Sequence, residues 1–347
     1  MRYRILACAG LAFVLSIPAE AQKLRMALAA AADFTPVHAF VKIPANIRTI
    51  VAIAELGTVK PKKLVAGYFK LGDNAGVPDE QIAEQVQTIG DTPTIVFRYA
   101  ASKDWTPGKY RLDVSADSRP WQSAEWEVVP PLPSATLGSV DNIMSLRVGT
   151  TWPMTFTSWS SPQVTVTLPG AGRDANGTHH MSAAMTIPGV EQDGVRVRHT
   201  RNGKLAEEEL WRVGAGGIAV VGRLASPKPL RVDPPLPIIP FPLPGAEKSW
   251  DWRSREEGQW TFRGWGPVLL AGPKGEQPGY IIVMEQPTMA RIMTRERDII
   301  PGLGISREIF VNQTGSGVTL FHQEYVLTGV PTISDADSSA PLGPEKP

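Results

Sequence analysis

Apolar and polar residues alternate along most of this chain, in short runs bounded by glycine, proline, asparagine and serine. That is the pattern of half-buried β-strands. Val37–Ile43 and Ile47–Leu56 come first, separated by a turn at Pro44-Ala45-Asn46. Leu64–Leu71 and Thr94–Ala100 follow. After the Pro107-Gly108 turn, Tyr110, Leu112 and Val114 share one face. After Ser118-Arg119-Pro120, Ala124, Trp126 and Val128 do the same. Two stretches depart from the pattern. Residues 22–32 (QKLRMALAAAA) read as a short lead-in that is poorly ordered or helical. Pro78–Val86 reads as a helix or a surface loop: proline stands at its start, acids in its first turn, and Ile82 and Val86 are four apart.

Beyond Pro130-Pro131-Leu132-Pro133 the alternation resumes. Strands are expected at Met144–Trp152, Thr155–Trp159, Gln163–Leu168, Met181–Ile187, Gly194–Thr200, Leu205–Val213 and Gly217–Leu224. More are expected at Ser249–Ser254, Gly258–Gly264, Val268–Ala271, Tyr280–Glu285, Met289–Asp298, Ile305–Asn312 and Gly317–Leu327. Asn202-Gly203 is the strongest hairpin signal, because a type I′ turn needs φ > 0 at both positions. In the Met289–Asp298 strand, Met289, Arg291, Met293, Arg295 and Arg297 share one face.

The chain is most distinctive at 234–252, PPLPIIPFPLPGAEKSWDW. Proline at every second or third position excludes a helix or a central strand. This predicts a stiff, polyproline-like strap across a β domain, with Leu236, Ile238, Ile239, Phe241 and Leu243 needing burial.

Composition narrows the class. Among 347 residues, 35 basic and 34 acidic side chains leave a net charge of +1, which gives no electrostatic footprint for nucleic acid. Glycine and proline number 32 each, and 42% hydrophobic content argues against disorder. Arg2 and Arg4, the apolar run Ile5–Ile17 and Ala19-Glu20-Ala21 predict a signal peptide at 1–21, cleaved after Ala21, and hence a periplasmic or secreted protein. The one cysteine, Cys8, falls inside it, so no disulfide is expected. No later run reaches the length of a membrane helix.

Two resemblances emerge. Trp105-x-x-Gly108-x-Tyr110-x-x-x-Val114, followed by a closing apolar strand, resembles the end of the immunoglobulin-like sandwich modules of secreted bacterial proteins. Three later signatures are Leu146-Arg-Val-Gly149-Thr-Thr-Trp152, Phe241-Pro-Leu-Pro-Gly245 through Trp250, and Pro301-Gly302-Leu-Gly304-Ile-Ser-Arg-Glu308. Together they resemble secreted bacterial proteins of unknown function whose antiparallel sheet curls into a half-barrel, similar to periplasmic lipoprotein-carrier domains. The fold expected is therefore all-β. It has a sandwich at 33–130, a proline-rich linker at 131–136, a curled half-barrel at 137–329 and a disordered tail at 330–347.

Candidate chemistry is sparse. His179-His180, His199 and His322 lack a ligand motif, so no metal site is expected and solvated histidines are. No Gly-x-Ser-x-Gly is present. Gly214–Gly217 and Gly302–Gly304 lead into strands, so they read as turns, not phosphate cradles. Glu207-Glu208-Glu209 reads as a solvated acidic run on a hairpin arm. The sequons at Asn176 and Asn312 are expected to be unused. What stands out is the tryptophan cluster Trp250, Trp252, Trp260 and Trp265, interleaved with arginines. It reads as core beneath the strap, or as the lining of a site for an apolar or glycan ligand.

The functional expectation is a non-enzymatic binding module for an apolar small molecule, a lipid or an envelope protein. Trp250, Trp252, Trp260 and Phe241 would face the ligand, and no catalytic residue or cofactor is expected. The alternatives are a carbohydrate-active enzyme or its accessory domain, and a structural component of an extracellular assembly.

Overall fold

Leu24–Ala29 forms strand β1, and it lies inside a sheet, not ahead of the fold. The computed structural model describes residues 24–29, 36–56, 60–72, 77–90, 94–134, 140–161, 174, 177–224, 229–244, 248–255, 257–288, 291–314 and 319–334. Among these residues the helical structure is one short turn, Val140–Asn142; everything else regular is strand. The all-β class follows the alternation. The predicted signal peptide, the Gln163–Leu168 strand, Met289 and Asn176 lie outside the described residues.

Among the described residues, nine strands make the N-terminal sandwich. β1 pairs with β2 (Pro36–Ala39) on one side and β4 (Thr49–Glu55) on the other, and β4 pairs with β7 (Thr94–Ala100). The second sheet runs β3 (Lys42–Pro44), β9 (Arg119–Val129), β8 (Gly108–Ala116), β5 (Lys63–Lys70), β6 (Glu80–Thr88), with β3 parallel to β9 and the rest antiparallel. Leu24, Met26, Leu28, Ile50 and Ala52 from one sheet share a core with Leu64, Tyr68, Leu112 and Trp126 from the other. This corrects the lead-in expected at 22–32. Alanine favours helix only weakly, and two strand partners that bury Leu24, Met26 and Leu28 on one face override it.

The helix or loop expected at Pro78–Val86 is strand β6 instead. Its glutamines explain why. Gln87 donates from Nε2 to the Val96 carbonyl at 3.0 Å, and the Gln85 amide both donates to the Arg98 carbonyl and accepts from the Arg98 N–H. Side-chain amides thus stand in for a backbone ladder between β6 and β7, the edges of the two sheets.

The second half of the chain builds one large sheet. Its strands are β10 (Thr150–Ser160), β11 (His179–Glu191), β12 (Gly194–Arg201), β13 (Lys204–Gly214), β14 (Gly217–Arg223), β15 (Leu230–Pro240), β16 (Lys248–Ser254), β17 (Gly258–Gly272), β18 (Gly275–Pro287), β19 (Arg291–Ile300), β20 (Gly304–Thr314) and β21 (Thr319–Leu327). A two-residue piece, β22 (Thr332–Ile333), also pairs with β10. The hydrogen-bonded order is β15-β14-β13-β12-β11-β10-β21-β20-β19-β18-β17-β16, all antiparallel. The sheet curls further than a half-barrel: its two edges, β15 and β16, come back together and nearly close it.

Several expectations are corrected here. The strap does not lie across the sheet. It is edge strand β15, where prolines are tolerated because one side of an edge strand needs no donors. Leu236, Ile238 and Ile239 are buried as the pattern requires. Pro153 does not break β10, and the strands expected at Gly258–Gly264 and Val268–Ala271 are one strand, β17. The tail begins with a paired segment, β22. The Asn202-Gly203 turn has φ of 48° and 73°, as a type I′ hairpin demands.

Two distant sequence signatures meet at one turn. The Trp152 indole donates to the Leu303 carbonyl at 2.8 Å, beside Gly302 (φ 83°) and Gly304 (φ 84°). A Cβ on Gly304 would stand 2.7 Å from the Met144 side chain, so glycine is required there by conformation and by space.

Candidate functional site

Strand β19 organises the polar interior, because its charges alternate with the pleat. Arg295 and Arg297 point one way, Glu296 and Asp298 the other. Each pair enters a separate ion network.

The inner network fills the barrel. Glu308 accepts from Arg297 Nε at 2.6 Å and from Arg295 Nε at 2.7 Å. From β14, Arg223 reaches Glu209 at 2.6 Å, Glu207 at 3.2 Å and Glu257 at 2.7 Å. Trp211 donates its indole N–H to Glu209 at 2.8 Å. β13 and β19 stand far apart in strand order, yet Arg295 acts electrostatically on Glu209 across the interior. Burial raises the Glu308 carboxyl, but Arg295 and Arg297 outweigh it and hold the group well below the usual carboxylate range. Glu209 is likewise lowered, by Arg295 and Arg223 against its burial. Burial and the neighbouring Arg295 bring Arg297 down to about 10. Arg297 is fully buried, and its Nη2 has no hydrogen-bond partner among the described residues.

This network corrects the expectation of a solvated acidic run. Glu209 is 0% exposed, and Glu208 is buried on the opposite face, accepting from Arg198 at 2.8 Å. The histidine expectation is corrected too. His199 is buried on β12 opposite Glu207, and His179 is buried on β11. His180 alone is exposed, with Asp174 at 3.0 Å.

Of the tryptophans expected to face a ligand, Trp252 reaches across the seam between β15 and β16, with Trp250 beside it on β16 and Trp260 behind it on β17. Trp252 pairs across the ladder with Trp260, and Trp250 stacks on Phe262 with ring centroids 5.3 Å apart. Trp260 is buried, whereas Trp250, Trp252 and Phe241 are half-buried. The Trp252 indole donates to the Pro235 carbonyl at 3.0 Å. Among the described residues no backbone ladder joins β15 to β16, while every other neighbouring pair in the sheet has one. Prolines at 234, 235, 237 and 240 explain this, since none can donate. An open cleft of 640 Å³ lies at the same seam, lined by Pro234, Arg253, Ser254, Arg255, Gly258 and Gln259, with none of the four aromatics among them. Trp265 falls on the outer face of β17.

The outer network joins the two halves of the chain. β3 lies against β17, and Lys42 reaches Glu276 at 3.3 Å. His38, on β2, places Nδ1 2.9 Å from Glu296 Oε1 and 3.7 Å from Asp298 Oδ1. Arg307 lies 3.7 Å from Glu296, 3.9 Å from Asp298 and 2.6 Å from Glu324. Burial pushes Asp298 up to about 6. Burial alone would lower His38, but Asp298 and Glu296 prevail and raise it. Sequence reasoning missed this cluster. His38 and Glu296 stand 258 residues apart, and nothing local to either marks the other.

Comparison of the chain with protein-family profiles, with curated proteins and with solved structures finds no match.

Proposed function

We propose that this protein is a secreted or periplasmic, non-enzymatic binding module. Its barrel takes an apolar ligand at the β15/β16 seam, in the manner that its resemblance to lipoprotein-carrier domains implies. Its N-terminal sandwich, of the immunoglobulin-like kind, serves as adaptor. The observation that carries this reading is the seam itself: the joint that lacks a backbone ladder among the described residues is crossed by the half-buried Trp252, with half-buried Trp250 beside it on β16 and half-buried Phe241 just past the end of β15. Parting those edges breaks an indole hydrogen bond and some packing, whereas parting any other joint breaks a ladder. An acyl chain or other apolar group that slides between the edges gains aromatic contact and loses water.

Two further features support the reading. Tyr110 donates its hydroxyl to the Thr106 carbonyl at 2.7 Å, a bond to backbone a few residues upstream of the kind immunoglobulin-like sandwiches use. Glu207, Glu208 and Glu209 each hold an arginine, so the acidic run serves ion pairing ahead of acid–base chemistry.

The test is native mass spectrometry of protein purified gently from a secreting host, with lipid extraction of the same sample. An apolar species that is released on denaturation, and whose retention falls in Trp250→Ala, is the expected result. A clean apo mass, together with no uptake of a fluorescent fatty acid, overturns the proposal.

A further inference from the structure

We infer that His38, Glu296 and Asp298 form a divalent-cation site that clips the N-terminal sandwich to the barrel. The site is independent of the aromatic seam and of what binds there. It takes a zinc-class ion, because it offers one imidazole nitrogen and two carboxylate oxygens.

Geometry is the first support. The three ligand atoms lie within 4.8 Å of one another. Two edges of that triangle are 2.9 Å and 3.7 Å. Tetrahedral Zn²⁺ with ligands at about 2.0–2.1 Å sets ligand atoms about 3.4 Å apart, so the trio closes on an ion with side-chain adjustment alone.

The second support is an unsatisfied group. Asp298 is 4% exposed, and its Oδ1, the atom nearest His38, is buried with no hydrogen-bond partner among the described residues. A buried carboxylate oxygen without a donor is costly, and a cation removes that cost.

The third is charge. Among the described residues, Glu296, Asp298 and Glu324 converge on one guanidinium, Arg307. Three carboxylates facing one arginine and one imidazole still leave negative charge that a dication, displacing the imidazole proton, would balance. Arg307 sits on Asp298 Oδ2, which leaves Oδ1 turned toward the imidazole. Access exists as well. His38 also lines a 160 Å³ cleft with Phe40, Ile43, Val268 and Ala271, between the sandwich and β17. Three protein ligands leave a fourth position for water from that cleft.

Placement gives the site its consequence. His38 belongs to β2, while Glu296 and Asp298 belong to β19. An ion that bridges them is bound by the docked arrangement and not by separated halves, so it stabilises docking through mass action.

The experiment is calorimetric titration of the full mature chain, stripped with EDTA, with ZnCl₂. It is paired with thermal unfolding and with hydrogen exchange of β2. One ion per chain is expected, with a midpoint raised by about 5 °C at a hundredfold excess over Kd, and slower exchange in β2. His38→Gln should abolish all three effects, and Asp298→Asn should weaken binding at least tenfold. His180→Gln, at an exposed histidine elsewhere, should change nothing. If either ligand variant fails to fold, the stripped wild type still decides: no stoichiometric uptake of Zn²⁺ overturns the site. Uptake that survives His38→Gln, or that disappears in His180→Gln, overturns it equally.

Discussion

The Trp252 indole N–H points at the Pro235 carbonyl oxygen, 3.0 Å away, across the joint of the barrel that no backbone ladder closes among the described residues. Trp252→Phe keeps most of the ring and removes the donor. It should lower stability by about 1 kcal/mol in urea unfolding. Amide exchange in β15 and β16 should rise more than in β12 and β13. Equal protection changes in both regions would mean that this bond does not guard the seam.

Glu308 pairs with two arginines at once. Glu308→Gln leaves Arg295 and Arg297 facing each other in a buried site, and removing one partner of such a network costs about 3–5 kcal/mol. Arg48→Gln breaks an exposed pair with Asp104, at 2.8 Å, and should cost about 0–1 kcal/mol. Denaturant midpoints of the two variants check the contrast.

Acid should unfold this protein through the same network. Glu308 and Glu209 have folded pKa values depressed below the unfolded carboxyl value of about 4.3. Their stabilisation is therefore complete above that pH and is lost as the pH falls from there toward the folded values. Between pH 7 and pH 5 folded Asp298 and His38, whose pKa values are raised, take up protons, so urea midpoints should not fall there; below about pH 4.5 they should drop. The drop should be shallower in Glu308→Gln, and an equally steep fall in that variant would show that other groups carry the transition.

The glutamines of β6 should matter more than their surface position suggests. Gln85→Ala with Gln87→Ala removes the amide contacts to Arg98 and Val96. Stability should fall by about 1–3 kcal/mol, with exchange rising in β6 and β7 ahead of β8. Gln87→Glu, which keeps the shape but loses the donor, should reproduce part of that loss.

Gly304→Ala should destabilise by about 1–3 kcal/mol, since it adds a clash with Met144 to a positive φ. Gly203→Ala meets a similar φ with open space around it and should cost less. Thermal unfolding of both variants separates steric from conformational cost.

Much of the fold was legible along the chain because its determinants are local. Alternation at Tyr110, Leu112 and Val114 marks a strand whatever it packs against, and Asn202-Gly203 marks a tight hairpin because few other residue pairs accept its dihedrals. The prolines of 234–240 excluded a central strand, and β15 is an edge. The sequence also placed Trp250 and Trp252 on one face, and Arg295 and Arg297 on another. Tertiary structure alone decided the rest. It drew Leu24–Ala29 into the middle of a sheet and turned a stretch rich in helix formers, Pro78–Val86, into a strand, because pairing and burial outweigh weak propensity. It buried Glu209 against Arg223 and Arg295, and it brought His38 to Glu296 and Asp298. Contacts of that range depend on how far a sheet curls and on which face of it another sheet lands. The alternation of residues within a single strand carries no record of either.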